Sequence, residues 1–165
     1  MGGRGSNQLT VTTPSDLEIV MTRVLDAPRD LVFLAHTSCE HMSHWWGPRK
    51  YEFESCEMDF RPGGAWRIVH RGPEGEIPGF RGDFREIVPP ESIVWTFEWE
   101  GMPGHVSVDT LKLEERDGRT TLTSTSVFDS VEDRDGMLES GMEEGAAETM
   151  DRLADYLEVL RRGAG

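Results

Sequence analysis

The segment IVWTFEW, residues 93–99, decides the fold class of this chain. Side chains alternate between the two faces of a β-strand, so one face of this segment would carry only large apolar groups. Strict alternation of this kind predicts a strand whose inner face is buried. The predicted inner face consists of Ile93, Trp95, Phe97 and Trp99, and the outer face consists of Val94, Thr96 and Glu98.

Five further strands flank this segment, separated by turn residues. Pro62-Gly63-Gly64 and Pro89-Pro90 are strong turn signals, and Asp117-Gly118 between two alternating runs predicts a hairpin. Connections this short favour an antiparallel meander. The six predicted strands are Lys50–Phe60, Ala65–Arg71, Phe80–Val88, Ile93–Glu100, His105–Glu115 and Arg119–Phe128.

The segments on either side of the meander supply one more strand and the helices. Residues 16–26 are rich in β-branched side chains and predict a strand, followed by short helices at 28–37 and 39–46. From Ser130 to Arg162 apolar residues recur at helical spacing, which predicts one long amphipathic helix, preceded at most by a short turn at 131–139. The predicted class is α+β, with a curved antiparallel sheet around a carboxy-terminal helix.

One strand breaks the alternation. In residues 105–115 the apolar side chains change parity, from Val106 and Val108 to Leu111 and Leu113. A β-bulge near residues 109–110 would produce such a change and would help to curve the sheet. In the strand at 80–88, Gly82 predicts a kink or the close approach of another group.

Charge excludes some functions. The chain carries 17 Lys and Arg against 31 Asp and Glu, a net charge of −14, so a phosphate backbone would be repelled and nucleic-acid binding is not expected. More than half of this charge lies at residues 129–151. We interpret that stretch as a solvated helix face, and a docking surface for a basic partner is the alternative.

The two cysteines, Cys39 and Cys56, are too few for a disulfide framework and are expected to be free thiols in a reducing cytoplasm. No stretch approaches the roughly 18 apolar residues of a membrane span, so no membrane partner is expected. Residues 1–15 contain no apolar run and are expected to form a flexible leader rather than a signal peptide.

The sequence shows no catalytic constellation, cofactor motif or metal site. His36, Cys39, His41 and His44 fit no standard zinc spacing, and the three histidines are interpreted as helix-surface residues. His70 differs, because alternation places it on the inner face beside Trp66. It is either a satisfied core histidine or a polar anchor, even a proton-transfer group, in a pocket.

Large rings on a concave face can fill a core or leave a pocket. Three tryptophans interdigitate poorly, and each buried indole N–H needs a partner, which favours a pocket. Trp45 and Trp46 would supply its mouth or lid. The predicted ligand-binding residues are Trp45, Trp66, His70, Phe84, Trp95, Phe97, Trp99, Met142, Ala146 and Met150.

Several of these segments resemble one family. The motifs are HWWGP at 44–48, MDFRPGGAWR at 58–67, GDFREIVPPE at 82–91, SGMEEG at 140–145 and DRL at 151–153. Together they resemble the activator of heat-shock-protein-90 ATPase homologue family, within the START-like, birch-pollen-allergen-like (SRPBCC) superfamily. The resemblance covers residues 17–160 and implies a helix-grip fold around an apolar cavity. Two positions that are often Trp in the family are Met142 and Ala146 here, which would enlarge or reshape that cavity.

Three functions follow as hypotheses. The first is a binding protein for an apolar or amphipathic small molecule, without a cofactor, in a single domain at residues 16–162. The second is an enzyme resembling polyketide cyclases or aromatases, with His70 as the main candidate for proton transfer. The third is an interaction module that stimulates a chaperone ATPase. A homodimer is compatible with the exposed sheet edges, but no sequence feature decides it.

Overall fold

The computed structural model describes residues 8–164 of the chain. They form one eight-stranded antiparallel sheet and four helices, an α+β architecture with a long carboxy-terminal helix, as predicted. The elements are β1 Thr10–Thr12, β2 Glu18–Leu25, α1 Arg29–Leu34, α2 Cys39–Met42, β3 Glu52–Met58, β4 Ala65–Arg71, β5 Gly79–Val88, β6 Ser92–Trp99, β7 Val106–Arg116, β8 Arg119–Val127, α3 Val131–Glu139 and α4 Met142–Ala164.

The sheet order is β1-β2-β8-β7-β6-β5-β4-β3. Strands β3 to β8 therefore form the predicted meander, and β2 returns to pair with β8. The short strand β1 lies within the predicted leader: Thr10 and Thr12 pair with Thr22 and Val20 of β2. The rest of that prediction, for residues 1–7, lies outside the described residues.

The predicted long helix is two helices. Ser130 caps α3 by accepting a hydrogen bond from the Asp133 amide, and the segment predicted as a short turn is helical over nine residues. Gly141 has φ +85° and ends this first helix, because the left-handed conformation cannot continue an α-helix and favours glycine. The apolar stripe that covers the sheet begins at α4, where Leu153 and Leu157 are buried.

Charged side chains fasten α4 to the rest of the domain. Arg23 on the inner face of β2 donates to Asp151 at 2.9 Å. Arg152 donates to the Gly47 carbonyl at 2.7 Å and to the His44 carbonyl at 3.2 Å. The DRL motif thus joins α4 to the sheet and to the segment after α2, and in this way it stabilises the fold.

The predicted bulge at residues 109–110 is wrong. Strand β7 pairs with β6 and β8 in continuous register, and the register shifts lie elsewhere, between Phe53 and Ser55 and between Phe84 and Glu86. Val108 faces outward and is 37% exposed, whereas Ser107 is only 4% exposed. Apolar valines on the outer face, not an extra residue, cause the change of parity.

The expectation of two free thiols is also wrong. Cys39 of α2 and Cys56 of β3 form a disulfide, with Cα atoms 5.8 Å apart. This distance lies within the usual range for a disulfide. The bond joins the second helix to an edge strand, and free thiols therefore no longer indicate a reducing cytoplasm. Within residues 8–164, no helix is both long enough and apolar enough to cross a bilayer.

Candidate functional site

A pocket of about 760 Å³ lies between the concave face of the sheet and α4. Its volume falls within the range of small-molecule sites in proteins. Side chains from strands β4 to β8, from α3 and α4, and from the segment after α2 line it. The sheet supplies its floor and α4 its cover.

All ten residues predicted from the sequence to bind a ligand line this pocket. The strands contribute six of them, α4 contributes three, and the segment after α2 contributes Trp45. Their part in binding stays a prediction. The ten are Trp45, Trp66, His70, Phe84, Trp95, Phe97, Trp99, Met142, Ala146 and Met150.

Rings dominate one side of the pocket. These rings lie close to one another: the Phe80 ring centre is 5.4 Å from that of Trp46 and 5.6 Å from that of Phe97. The ring centres of Trp66 and Phe97 are 6.2 Å apart. These spacings are typical of favourable aromatic pairs. We call this side the aromatic wall, and it consists of Trp46, Trp66, His70, Phe80, Phe84, Trp95 and Phe97.

Two members of the aromatic wall, Trp46 and Phe80, are absent from the predicted set. The two-residue spacing from Phe84 through Gly82 places Phe80 on the same face, so alternation could have found it. The direction of Trp46 depends on the chain after α2, where no periodicity applies.

The neighbouring tryptophans Trp45 and Trp46 have different positions. Trp45 is 2% exposed, and its indole Nε1 donates to the Ala35 carbonyl at 3.0 Å. It is held in the core at the base of the pocket and is not a lid. Trp46 lies among the rings around His70, with its ring centre 5.1 Å from the imidazole.

Gly82 makes room for Trp66. A Cβ at Gly82 would lie 1.9 Å from the Thr96 carbonyl oxygen and 2.7 Å from the Trp66 Nε1. Because Gly82 has no side chain, Trp66 can donate to that carbonyl at 3.1 Å. The predicted close approach at this glycine is confirmed, and one buried indole N–H of the aromatic wall is satisfied.

His70 lies on the inner face, as predicted, and is 2% exposed. The rings of Trp46, Tyr51 and Phe53 surround it, with centres 5.1 to 5.5 Å away. Burial, with the nearby Arg152 guanidinium, lowers the pKa of His70 to about 4. The imidazole is therefore neutral at pH 7. Among the described residues, no group hydrogen-bonds to its Nε2.

Hydroxyl groups and one carboxyl form the other side of the pocket. Continuous alternation along β7 and β8 turns four polar side chains inward. On β7 they take the place that the sequence predicted for Val106 and Val108. The Ser107 hydroxyl donates to Asp109 Oδ1 at 3.0 Å, and Ser126 also hydrogen-bonds to this carboxyl. We call this side the polar wall, and it consists of Ser107, Asp109, Ser124 and Ser126.

Burial raises the pKa of Asp109 to about 6, while the hydrogen bonds from Ser126 and Ser107 oppose that rise. Extending the Leu113 and Leu111 alternation backward by two-residue steps reaches Asp109 and then Ser107. That signal was present in the sequence, but Val106 and Val108 obscured it.

Helix α3 borders the mouth of the pocket. His105 precedes β7, and its Nδ1 lies 2.7 Å from Asp133 Oδ1 of α3. Glu132 and Met137 of the same helix also line the pocket. Acidic side chains therefore stand near the entrance.

The other histidines are not alike. His36 is buried, with Nδ1 2.8 Å from the Val32 carbonyl oxygen, so its prediction as a surface residue is wrong. Burial lowers the pKa of His36 to about 4. His41 lies 2.6 Å from the Tyr156 hydroxyl, and the exposed His44 stacks on the Tyr156 ring.

Among the described residues, no group of three His, Cys, Asp or Glu side chains could hold a metal ion.

Comparisons with known proteins agree with this architecture. The family model described as "Activator of Hsp90 ATPase homolog 1-like protein" matches residues 26–158. No curated protein matches the chain.

Solved structures match along nearly the whole chain. A crystal structure from Rhodobacter sphaeroides is 24% identical, with a TM-score of 0.86, and the match covers 92% of this chain and 99% of that one. A solution structure from Arthrobacter aurescens is 27% identical, with a TM-score of 0.81 and coverage of 90% and 91%. One from Staphylococcus epidermidis is 26% identical, with a TM-score of 0.75 and coverage of 90% and 93%.

Proposed function

This chain belongs to the Activator of Hsp90 ATPase homolog 1-like family, and from this premise we propose that it binds an apolar or amphipathic small molecule in the pocket between the sheet and α4. The fold is consistent with a START-like domain that binds ligands. In this account the aromatic wall contacts the apolar body of the ligand. Polar groups in the pocket orient it.

The observation that carries the proposal is the ring-lined pocket of about 760 Å³ between the sheet and α4, with hydroxyl groups and one carboxyl on its other side. Small-molecule sites have this volume and this kind of lining, mostly apolar with a few polar groups. His70 also lines the pocket, but its Nε2, unpartnered among the described residues, has no exposed surface and is not a contact point for a ligand.

A cyclase-like enzyme is less well supported. Its mechanism would need acid and base groups near each other, and the two titratable groups within the walls are His70 on β4 and Asp109 on β7. Three strand spacings separate β4 from β7, about 14 Å along the sheet. That separation excludes a direct hydrogen bond between the two groups, so binding is the simpler role.

The test fills the pocket with a side chain. Ala146 of α4 lines the pocket, so Ala146→Trp would occupy space that a ligand needs. The probe is N-phenyl-1-naphthylamine, a neutral apolar fluorophore whose emission rises in apolar surroundings. We expect saturable binding to the unmodified protein and at least a tenfold loss of affinity in Ala146→Trp.

Val159→Trp is the matched control, because Val159 lies on the same helix but is 59% exposed. This variant should bind the fluorophore as the unmodified protein does. Circular dichroism checks that both variants fold, and Ala146→Leu is the smaller substitution to use if the tryptophan variant does not. Absence of binding to the unmodified protein, or equal binding by folded Ala146→Trp and Val159→Trp, would overturn the proposal.

A further inference from the structure

We propose that the polar wall is a subsite for the head group of the ligand, and that this head group donates hydrogen bonds, as a hydroxyl or a protonated amine does. A carboxylate would be excluded. The inference rests on the proposed function, since it concerns the same pocket. It adds the chemical class of the ligand and the end of the pocket at which its polar group lies.

The register of the sheet builds the polar wall. Asp109 on β7 stands directly opposite Ser126 on β8 and Trp95 on β6. The carboxyl therefore lies at the border between the two walls, beside a ring that would contact the apolar body of a ligand. A molecule lying across the sheet would have its body against β6 and its head against β7.

The Asp109 carboxyl has hydrogen-bonding capacity left over. An ionised carboxylate offers about four acceptor sites, and the hydroxyls of Ser107 and Ser126 use two of them. Among the described residues, no Lys, Arg or His forms a salt bridge with Asp109. A donor from a ligand would occupy the remaining sites.

The polar wall contains no cationic side chain that would bind a carboxylate ligand. Its members are three hydroxyl groups and one carboxyl, and a carboxylate ligand would face Asp109 at short range. Glu132 and Asp133 of α3 add carboxylates at the entrance, where Asp133 Oδ1 lies 2.7 Å from His105 Nδ1 and Arg134 pairs with Asp135. Like charges in an apolar pocket repel strongly, so the electrostatic balance favours neutral or cationic ligands.

The experiment compares four ligands that share a ten-carbon chain: decan-1-ol, 1-methoxydecane, decylamine and decanoate. Each displaces N-phenyl-1-naphthylamine from the unmodified protein at pH 7.5. The alcohol and the ether differ in the donor hydrogen, and the amine and the acid differ in the sign of the charge. We expect the alcohol to bind about tenfold tighter than the ether, or the amine about tenfold tighter than the acid.

Variants connect the preference to Asp109. Asp109→Leu removes the acceptor and should abolish the alcohol preference and weaken the amine preference while the fluorophore still binds. A remnant of the amine preference is expected from Glu132 and Asp133, which stay in place. Asp109→Asn keeps an acceptor oxygen without the charge, so it should retain a preference for the alcohol and show the same weakened preference for the amine. Asp117→Asn removes one negative charge from the exposed β7–β8 turn and should change nothing.

The pattern of preferences separates the two kinds of head group: an alcohol effect identifies a hydroxyl, and an amine effect identifies a cation. Equal binding of all four ligands, tighter binding of decanoate, or preferences of unchanged size in Asp109→Leu would overturn this inference and leave the proposed function intact. Failure of the fluorophore to bind the unmodified protein would instead overturn the proposed function.

Discussion

The aromatic wall and the polar wall face the same pocket, but their buried groups are satisfied in different ways. In the aromatic wall, Trp66 donates to a backbone carbonyl, and the rings pack edge to face or stacked on one another. In the polar wall, two serine hydroxyls hydrogen-bond to one carboxyl that has no counter-ion among the described residues. Packing of the rings is expected to stabilise the domain, whereas desolvation of the Asp109 carboxylate is expected to make folding less favourable.

This difference indicates where to look for function. Rings on a sheet stabilise a protein whether or not a ligand binds, because burying them removes apolar surface from water. A half-buried carboxylate without a nearby cation costs free energy, and leucine at the same position would not. A residue that is expected to destabilise the fold yet faces the pocket is better explained by what it binds.

The largest expected effect concerns the aromatic wall. Gly82→Ala would place a Cβ 1.9 Å from the Thr96 carbonyl oxygen, so the backbones of β5 and β6 would have to separate. The hydrogen bond from Trp66 would be lost as well. We expect the free energy of unfolding to fall by at least about 3 kcal/mol, measured by urea denaturation.

Gly136→Ala is the control for that substitution. A Cβ at Gly136, within α3, would meet no atom within 4 Å. Alanine favours a helix interior, so this variant should gain up to about 1 kcal/mol. If Gly82→Ala unfolds at the same urea concentration as the unmodified protein, the close contact that shapes the aromatic wall does not exist.

A smaller effect, with the opposite sign, is expected in the polar wall. The pKa of Asp109 is raised to about 6 from the usual 3.8, so the folded state holds this proton more tightly than the unfolded state does. The stability of the unmodified protein should therefore decrease as pH rises from about 4 to about 6 because of this group. Asp109→Asn does not lose stability with rising pH in this way. At pH 7 it should be more stable than the unmodified protein by about 1–3 kcal/mol.

Thermal and urea unfolding of Asp109→Asn at pH 4, 5, 6 and 7 measure this effect. The advantage of the variant should be greatest at pH 7 and become small near pH 4, where the carboxyl is protonated in the folded state and about half protonated in the unfolded state. Asp117→Asn should differ from the unmodified protein by less than about 0.5 kcal/mol at every pH. A destabilised Asp109→Asn at pH 7 would mean that the carboxylate supports the fold.

The sequence predicted most of the sheet and the aromatic side of the pocket. Alternation of rings in residues 93–99 and the glycine and proline turns were enough to place β3 to β8, because these patterns are local. The polar wall was missed because alternation was read from apolar residues alone, and Val106 and Val108 are apolar but face outward.

Other features depend on contacts distant in the chain. Cys39 and Cys56 meet because α2 packs beside β3, which their spacing does not indicate. His36 is buried because the Trp45 ring packs against it. The indole of Trp45 is held there by a hydrogen bond to the Ala35 carbonyl, which lies ten positions earlier in the chain. The nine-residue helix α3 has no buried residue, so no apolar periodicity marked it.

Intermolecular nuclear Overhauser effects between bound decylamine and the protein test the central claim most directly. The account predicts contacts from the terminal methyl group to rings of the aromatic wall, such as Phe80 and Trp66. It also predicts contacts from the methylene beside nitrogen to the side-chain protons of Ser107 and Ser126. Contacts only to outer-face residues such as Val108 would contradict the account, as would a nitrogen end among the rings with the methyl group at the polar wall.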